Sequence, residues 1–246
     1  MQSNHIEHVP NLLIGIGNTA LKAVWAEETT LGKTFRYQGE HVIEFICSLT
    51  EKEKPAVMTV SSVKPLLESD RKALERECGT LLLLDSDHRD TLAKYSLPEY
   101  LSYDRAASLI AVRNMFRGKK CTVFDFGTTL TVDFLDGEGN YEGGCISLGC
   151  RTRFKALNRY SKALPLVNIP SDIPEKGASL EESIEAGVIS GIMFEINGHI
   201  RQKSGNIVVF TGGDAIYFAK KMKNPIFAVC NLGLIGLAHI TRDYVG

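Results

Sequence analysis

The sequence predicts an α/β fold of two related domains, because one strand-turn-strand pattern occurs twice and helix-like stretches follow each copy. The copies are residues 13–22 and 123–132; each is an apolar strand, a Gly with small hydroxyl or amide residues, and a second apolar strand. A repeated unit of this kind predicts two similar halves that face one nucleotide cleft.

The hydrophobic pattern assigns elements to each half. In the first half it predicts a hairpin over residues 9–24, strands over 57–63 and 81–84, and helices over 65–74 and 105–116. In the second half it predicts strands over 121–126, 129–135, 141–147 and 207–210, and helices over 179–202 and 215–222. We therefore expect a flexible N-terminal extension at residues 1–10, a first domain at 11–117 and a second domain at 118–246.

The longest predicted helix begins with a capping signal, since Ser179 and Glu182 have the spacing at which each can satisfy the other's backbone N–H. An apolar stripe recurs every four residues along it, at Ile184, Val188, Ile192, Ile196 and Ile200. This stripe is typical either of a core-facing helix or of a subunit interface, and the sequence leaves both open.

Composition excludes several classes of function. The chain has 246 residues, is 44% hydrophobic and carries a formal net charge of −1, so no general attraction to nucleic acid or acidic membranes is expected. Its six cysteines form no C-x-x-C pair, which favours reduced thiols over a metal site or a disulfide framework. No apolar run is long enough to span a membrane, and no signal peptide is evident, so we expect a cytoplasmic protein.

The two hairpin turns are the first candidate functional elements. Residues 15–22 and 125–129 combine Gly with Asn or Thr, and Gly leaves the backbone N–H groups open to a phosphate. Asp125 ends the first strand of the second copy, where a carboxylate can hold a metal ion beside a phosphate. Gly15 stands at the equivalent position of the first copy, and Lys22 can add a positive charge there.

Two further segments have the residue types that phosphoryl transfer requires. Thr211-Gly212-Gly213-Asp214 joins a strand to a helix, where glycines permit close contact with a nucleoside. Asp104 and Arg105, at a predicted helix start, offer a base and a clamp for a carboxylate. The alternative for this pair is an N-capping Asp followed by a solvated Arg.

The ordered set of motifs resembles the type III pantothenate kinases, a family of the actin-like ATPase superfamily with ribonuclease H-like domains. The motifs are Gly17-Asn18-Thr19 with Lys22, Ser61-Ser62-Val63, Tyr95-x-x-Pro98-x-x-Leu101-x-x-Asp104-Arg105, Asp125-x-Gly127-Thr128, Gly143-Gly144-x-Ile146-Ser147-x-Gly149 and Thr211-Gly212-Gly213-Asp214. The resemblance covers essentially residues 11–240. It implies ATP-dependent phosphorylation of pantothenate to 4'-phosphopantothenate, the first step of coenzyme A biosynthesis.

The resemblance also implies roles for individual residues. Asp104 is the base for the pantothenate hydroxyl, and Arg105 binds the pantothenate carboxylate. The other substrate-binding positions are Tyr95, Ser102, Tyr103 and Leu180, and the nucleotide-binding positions are Gly15, Ile16, Gly17, Asn18, Thr19, Lys22, Thr128, Gly212 and Gly213. Asp125 holds a monovalent cation, potassium or ammonium, and ATP binds with Mg²⁺. Family members are homodimers in which the second subunit completes the pantothenate pocket.

The sequence departs from the family pattern at several of these positions. The family's first phosphate loop reads D-x-G-N-T, and here Gly15 replaces the Asp. Ser102 replaces the Gly of G-x-D-R, Leu97 replaces the Asn of an Asn-Pro pair, and Leu180 lies where the family usually has Asn-Thr, whose Thr reaches pantothenate.

Three hypotheses follow from the substitution at Gly15. The chain is an active kinase with an altered metal site, a weakened or inactive homologue that binds nucleotide or pantothenate in a regulatory role, or an active enzyme in which Gly15 is an introduced change. A sugar kinase of the same superfamily is a further alternative, but Arg105 beside the base suits an acceptor that bears a carboxylate.

Overall fold

The structure is a computed structural model that describes residues 9–88, 90–172 and 175–246. Of the predicted N-terminal extension at 1–10, residues 1–8 lie outside this description. The strands are β1 Asn11–Ile16, β2 Leu21–Glu27, β3 Thr30–Tyr37, β4 Val57–Ser62, β5 Thr80–Leu84, β6 Cys121–Phe126, β7 Thr129–Leu135, β8 Tyr141–Leu148, β9 Ile207–Gly212 and β10 Phe227–Ala228. The helices are α1 Val42–Thr50, α2 Glu68–Glu75, α3 Asp90–Ala93, α4 Tyr103–Met115, α5 Cys150–Tyr160, α6 Leu180–Gln202, α7 Ala215–Ala219 and α8 Leu232–Val245.

The strands form two five-stranded sheets with the same topology. Their strand orders are β3-β2-β1-β4-β5 and β8-β7-β6-β9-β10. In each sheet the first three strands make an antiparallel meander, and the fourth strand pairs in parallel with the first on its other side. The predicted α/β class and its internal repeat are therefore confirmed.

The chain divides into two compact units, the first formed by residues 9–115 and 232–246 and the second by residues 116–231. Helix α8 thus returns to the first unit. There Gly236 packs so closely on α4 that an added methyl group would overlap the Ala107 carbonyl, and the Thr241 hydroxyl lies 2.6 Å from that of Thr59 in β4. The predicted second domain, 118–246, differs from this division because the apolar face of α8 packs against α4.

Each unit has its own hydrophobic core. In the first unit, buried residues of β1, β2 and β4 pack against α1 and α2. In the second unit, the sheet packs against α5, α6 and α7. The Ile184–Ile200 stripe faces this second core: Ile184, Val188, Ile192 and Ile196 are buried and Ile200 is partly buried. The core interpretation of the stripe is thus confirmed, and the interface interpretation is wrong for this face of α6.

The helices differ from the predictions mainly at their boundaries. Helix α2 begins at Glu68 rather than at residue 65, because Leu67 is still extended with ψ 149°. Helix α6 is capped at Ser179 as predicted, since the Ser179 hydroxyl accepts a hydrogen bond from the Glu182 N–H at 3.1 Å. The Glu182 carboxylate accepts from the Ala178 N–H at 2.7 Å and not from Ser179, so the reciprocal half of the prediction is wrong. The elements β3, β10, α1, α3, α5 and α8 were not predicted. Among the described residues, none of the helices combines the length and apolarity needed to cross a membrane.

Candidate active site

The first predicted phosphate loop lies at the carboxyl end of β1, in the turn that leads to β2. The Gly17 N–H donates to the Ala20 carbonyl at 3.0 Å, which closes the turn. A side chain at Gly17 would be crowded, because its Cβ would lie 3.2 Å from that same carbonyl oxygen. Residues 17–19 are exposed, so the turn presents backbone and small side chains at its surface, as a phosphate-binding loop requires.

Gly15 lies two residues before this turn, between two other strands. It is directly opposite Lys22 on β2 and beside Ser61 on β4. An added Cβ at Gly15 would meet no atom within 4 Å. Packing therefore does not require a glycine at this position, and the sheet has room for the larger side chain that the family carries.

The predicted base and clamp lie side by side in the first turn of α4. This helix begins at Tyr103, so Asp104 is inside the first turn and not at the N-cap. Asp104 is exposed, whereas Arg105 retains only 7% of its accessible surface. The alternative of a capping Asp with a solvated Arg is therefore wrong.

Tyr95 lies away from Asp104 and Arg105, although the resemblance assigned all three residues to pantothenate binding. The Tyr95 hydroxyl donates to Asp243 Oδ2 at 3.0 Å, near the end of α8. The start of α8 approaches Asp104 at Gly233, whose added Cβ would lie 4.0 Å from the Asp104 carbonyl oxygen. Ten residues of helix separate Gly233 from Asp243, or about 15 Å. The burial of Tyr95 and its bond to Asp243 raise the pKa of the phenol well above its ordinary range.

The second predicted phosphate loop, between β6 and β7, is held by three hydrogen bonds. The Gly127 N–H donates to the Thr129 carbonyl at 3.0 Å. The Thr128 carbonyl accepts from the Gly149 N–H at 3.0 Å and from the Thr152 hydroxyl at 2.7 Å. Gly149 and Thr152 belong to the start of α5, so this helix start fixes the loop while residues 127–129 remain exposed.

Asp125 lies on β6 next to the strand-to-helix turn at Gly212. The backbone of Gly212 has φ +93°, and an added Cβ would overlap the Asp125 carboxylate and the Phe126 backbone. The register pairs Asp125 with Thr131 on β7 and with Thr211 on β9. Both threonines are buried, and the Thr131 hydroxyl has no hydrogen-bond partner among the described residues. A carboxylate with hydroxyl neighbours is an oxygen-donor set, which fits a hard cation.

Two charged residues near this turn were not assigned roles from the sequence. Arg151 Nε lies 3.8 Å from Asp214 Oδ1, and the Asp214 N–H donates to the Phe126 carbonyl at 3.3 Å. Burial raises the pKa of Asp214, and the charge of Arg151 opposes that rise. Asp214 was visible in the Thr211–Asp214 motif, but nothing in the sequence connected it with Arg151, because Arg151 at the start of α5 and Asp214 at the N-cap of α7 come together only in the folded unit.

A model of a protein family described as type III pantothenate kinase matches residues 11–202. The chain belongs to this family. It is 36% identical over 237 residues to a type III pantothenate kinase of Bacteroides fragilis strain YCH46, covering 94% of this chain and 96% of the relative. It is also 36% identical over 235 residues to the type III pantothenate kinase of Phocaeicola vulgatus, covering 94% and 97%. The family predicted from the motifs is thus confirmed.

Solved structures extend the comparison to the fold. The activator of 2-hydroxyisocaproyl-CoA dehydratase from Clostridium difficile, with bound ADPNP, has a TM-score of 0.56 at 14% identity and covers 96% of this chain and 95% of its own. The ROK hexokinase from Thermus thermophilus has a TM-score of 0.51 at 14% identity, covering 94% and 98%. These likenesses are in agreement with the predicted actin-like ATPase fold.

Three positions at which this type III pantothenate kinase family member departs from the family pattern are accessible. Leu180, at the start of α6, is 49% exposed, and Ser102, directly before α4, is exposed. Gly15 is half-buried but has open space at its Cβ. These three departures therefore alter accessible groups near helix and strand ends, whereas the fourth, Leu97, is a buried side chain.

Proposed function

We propose that the protein catalyses ATP-dependent phosphorylation of pantothenate to 4'-phosphopantothenate in the cytoplasm, as the first step of coenzyme A biosynthesis. Family membership supports the reaction, and the arrangement of Asp104 and Arg105 carries the argument within this chain. Asp104 is exposed and can accept the proton of the acceptor hydroxyl. Arg105 is held in a buried position one residue further along, where a guanidinium binds a carboxylate with fixed orientation.

The other acceptor positions contribute less directly. Ser102 is exposed beside Asp104 and offers a hydroxyl. Leu180 gives apolar contact but no hydrogen bond. Tyr95 reaches pantothenate only if its hydroxyl releases Asp243. We therefore expect Tyr95 to contact pantothenate after a movement of the 94–101 segment.

The nucleotide side of the proposal uses three turns with exposed or closely approaching backbone. In the first unit, residues 15–19 and Lys22 contact phosphate. In the second unit, Thr128 contacts ATP from a loop that α5 holds in place. Gly212 and Gly213 give the nucleoside close access, supported by the positive φ of Gly212.

The cation requirements follow from the donor groups near the phosphates. Within the described residues, no cluster of three or more His, Cys, Asp or Glu side chains is arranged to hold a metal. Mg²⁺ therefore arrives with ATP, because this ion is usually bound by one or two carboxylates together with substrate phosphates. Asp125 with its hydroxyl neighbours holds potassium or ammonium, whose charge offsets that of the phosphates.

A second candidate function rests on Gly15. Without the family's carboxylate in the first phosphate loop, the protein organises the metal–phosphate unit less well. The alternative is therefore a weakened or inactive homologue that binds nucleotide or pantothenate as a regulator.

We also propose a homodimer, formed by the face of α6 that points away from the second core. On this face Phe194 is 72% exposed. Gly198 lies about one turn from it and Gly187 about two turns, and an added Cβ at either would meet no atom within 4 Å. An exposed aromatic residue between glycines suits close packing against the same helix of a second copy.

The experiment is to incubate the full chain with ATP, Mg²⁺, K⁺ and pantothenate, and to measure ADP and phosphopantothenate together. The matched control is Asp104→Asn, which keeps the shape of the side chain and removes the base. We expect product from the native chain and at least a hundredfold less from the variant, in keeping with the usual contribution of a general base.

Binding measurements separate the two candidate functions. Calorimetric binding of ATP and pantothenate without product from the native chain would favour the regulatory homologue. ADP release that depends on a sugar and not on pantothenate would refute the proposed acceptor.

A further inference from the structure

We propose that Tyr103 is a positioning residue. It fixes the positions of Asp104 and Arg105 because it attaches the start of α4 to a rigid turn at the end of β5. This inference rests on the proposed function for the role of Asp104, but its structural basis is independent of it. Tyr103 is 5% exposed, whereas Ser102 and Asp104 on either side of it are exposed. Its side chain therefore points into the first unit while its neighbours face the solvent.

The Tyr103 hydroxyl donates a hydrogen bond to the backbone carbonyl of His88. Tyr103 is the first residue of α4, so this bond ties the start of the helix to a turn 15 residues earlier in the chain. The Tyr103 side chain has only two rotatable bonds and is buried. A hydrogen bond from its hydroxyl therefore restrains both the position and the direction of the first turn of α4.

The turn that supplies the carbonyl is itself fixed by Asp85, the residue directly after β5. Asp85 is 1% exposed. Its Oδ1 accepts from the Asp87 N–H at 3.0 Å and lies 2.7 Å from His88 Nδ1, while its carbonyl accepts from the His88 N–H at 3.2 Å. Three contacts from one buried residue thus make residues 85–88 a stiff anchor.

This chain of contacts runs from the end of β5 through His88 and Tyr103 to the proposed base. General acid–base chemistry depends on such support, because a displacement of about 1 Å at a reacting group lowers the rate about a hundredfold. Tyr103→Phe keeps the ring and removes only the hydroxyl, so we expect a smaller displacement and about a tenfold lower kcat.

The experiment measures amide hydrogen exchange and steady-state kinetics on the full chain. Tyr103→Phe and Asp85→Ala each break one link, and Thr50→Val is the matched control. Thr50 is also buried and donates to a backbone carbonyl, that of Cys47 at 2.8 Å, but it lies in α1. We expect both test variants to accelerate exchange at residues 106–109, the first amides of α4 with intrahelical acceptors, at least tenfold and to lower kcat with little change in the KM for ATP. The control should accelerate exchange only around α1 and keep the native kcat.

The outcomes separate this inference from the proposed function. Unchanged exchange at residues 106–109 in Tyr103→Phe would overturn it, whatever the activity. A raised KM for pantothenate with unchanged exchange would also overturn it, because Tyr103 would then touch the acceptor directly. If the native chain makes no phosphopantothenate, the proposed function fails, and the exchange measurement still decides whether Tyr103 anchors α4.

Discussion

Replacing Gly15 by Asp tests the most consequential departure of this chain from its family. The structure has room for the change, because an added Cβ meets no atom within 4 Å and Gly15 is not in the left-handed region that favours glycine. The new carboxylate would lie opposite Lys22 and beside Ser61, at the end of β1 and next to the first phosphate loop.

The effect on stability should be small. Directly opposed side chains on antiparallel strands have Cβ atoms about 5 Å apart. At that distance and an effective dielectric constant of about 20, Coulomb's law gives about 3 kcal/mol for the new carboxylate with Lys22. Solvent screening and side-chain entropy reduce such a pair to about 0.2–1 kcal/mol. The substitution therefore leaves the free energy of unfolding nearly unchanged.

The effect on rate should be much larger. A carboxylate that organises Mg²⁺ and phosphate acts most strongly in the transition state, where the phosphoryl oxygens carry the developing charge. A contribution of about 4 kcal/mol corresponds to about a thousandfold in kcat. We expect Gly15→Asp to raise kcat for pantothenate phosphorylation by up to this factor.

The assay compares kcat for the native chain, Gly15→Asp and Gly15→Asn at saturating Mg²⁺ and K⁺. Gly15→Asn is the matched control, because it has nearly the same shape without the charge. The gain should occur only with Asp and should depend on Mg²⁺ concentration. Equal rates for the Asp and Asn variants, or a native chain already as fast as Gly15→Asp, would refute the reasoning.

Three other predictions concern the second unit. Arg153→Ala should lower the free energy of unfolding by about 3 kcal/mol in urea denaturation, because it removes the positive charge beside the largely buried Glu195 and leaves this carboxylate only the Ser147 hydroxyl; the exposed Arg159→Ala should have little effect, and equal losses would contradict the role of the ion pair. Phe194→Glu should convert the proposed dimer to a monomer in sedimentation experiments, and a native chain that is monomeric at working concentration would refute the interface. Burial raises the pKa of Cys150 to about 12 from its ordinary 9.0, so the folded state keeps a proton that the unfolded chain loses. The melting temperature should therefore fall as pH rises from 9 toward 12, less steeply in Cys150→Ala, and parallel pH profiles would exclude this thiol as the cause.

Much of the fold could be predicted because its signals are local. The β6, β7 and β8 strands are predominantly apolar runs between Gly-rich turns, and their predicted bounds agree closely with the structure. Helix α8 could not be found in the same way. Its glycines at 233 and 236 are weak helix formers. They allow close packing on α4, but α4 lies more than 100 residues earlier in the chain, so no local pattern shows this contact.

The candidate site shows the same difference between features with local sequence signals and features that depend on tertiary packing. The Gly and Thr turns and the Asp104–Arg105 pair were predicted because residue type and spacing specify their chemistry. Burial of Arg105 and the separation of Tyr95 from Asp104 are tertiary properties, since they depend on how α4 and α8 pack. The contact between Arg151 and Asp214 likewise has no signature in the sequence.

The return of α8 to the first unit has a consequence for the order of events during synthesis. The second unit is one continuous segment, so it can fold without residues 232–246, whereas α4 lacks α8 as a packing partner until those residues have emerged. The helix that carries Asp104 is therefore among the last parts of the protein to be secured. A chain that ended before residue 232 would contain the whole second unit, but its α4 would lack α8 as a packing partner.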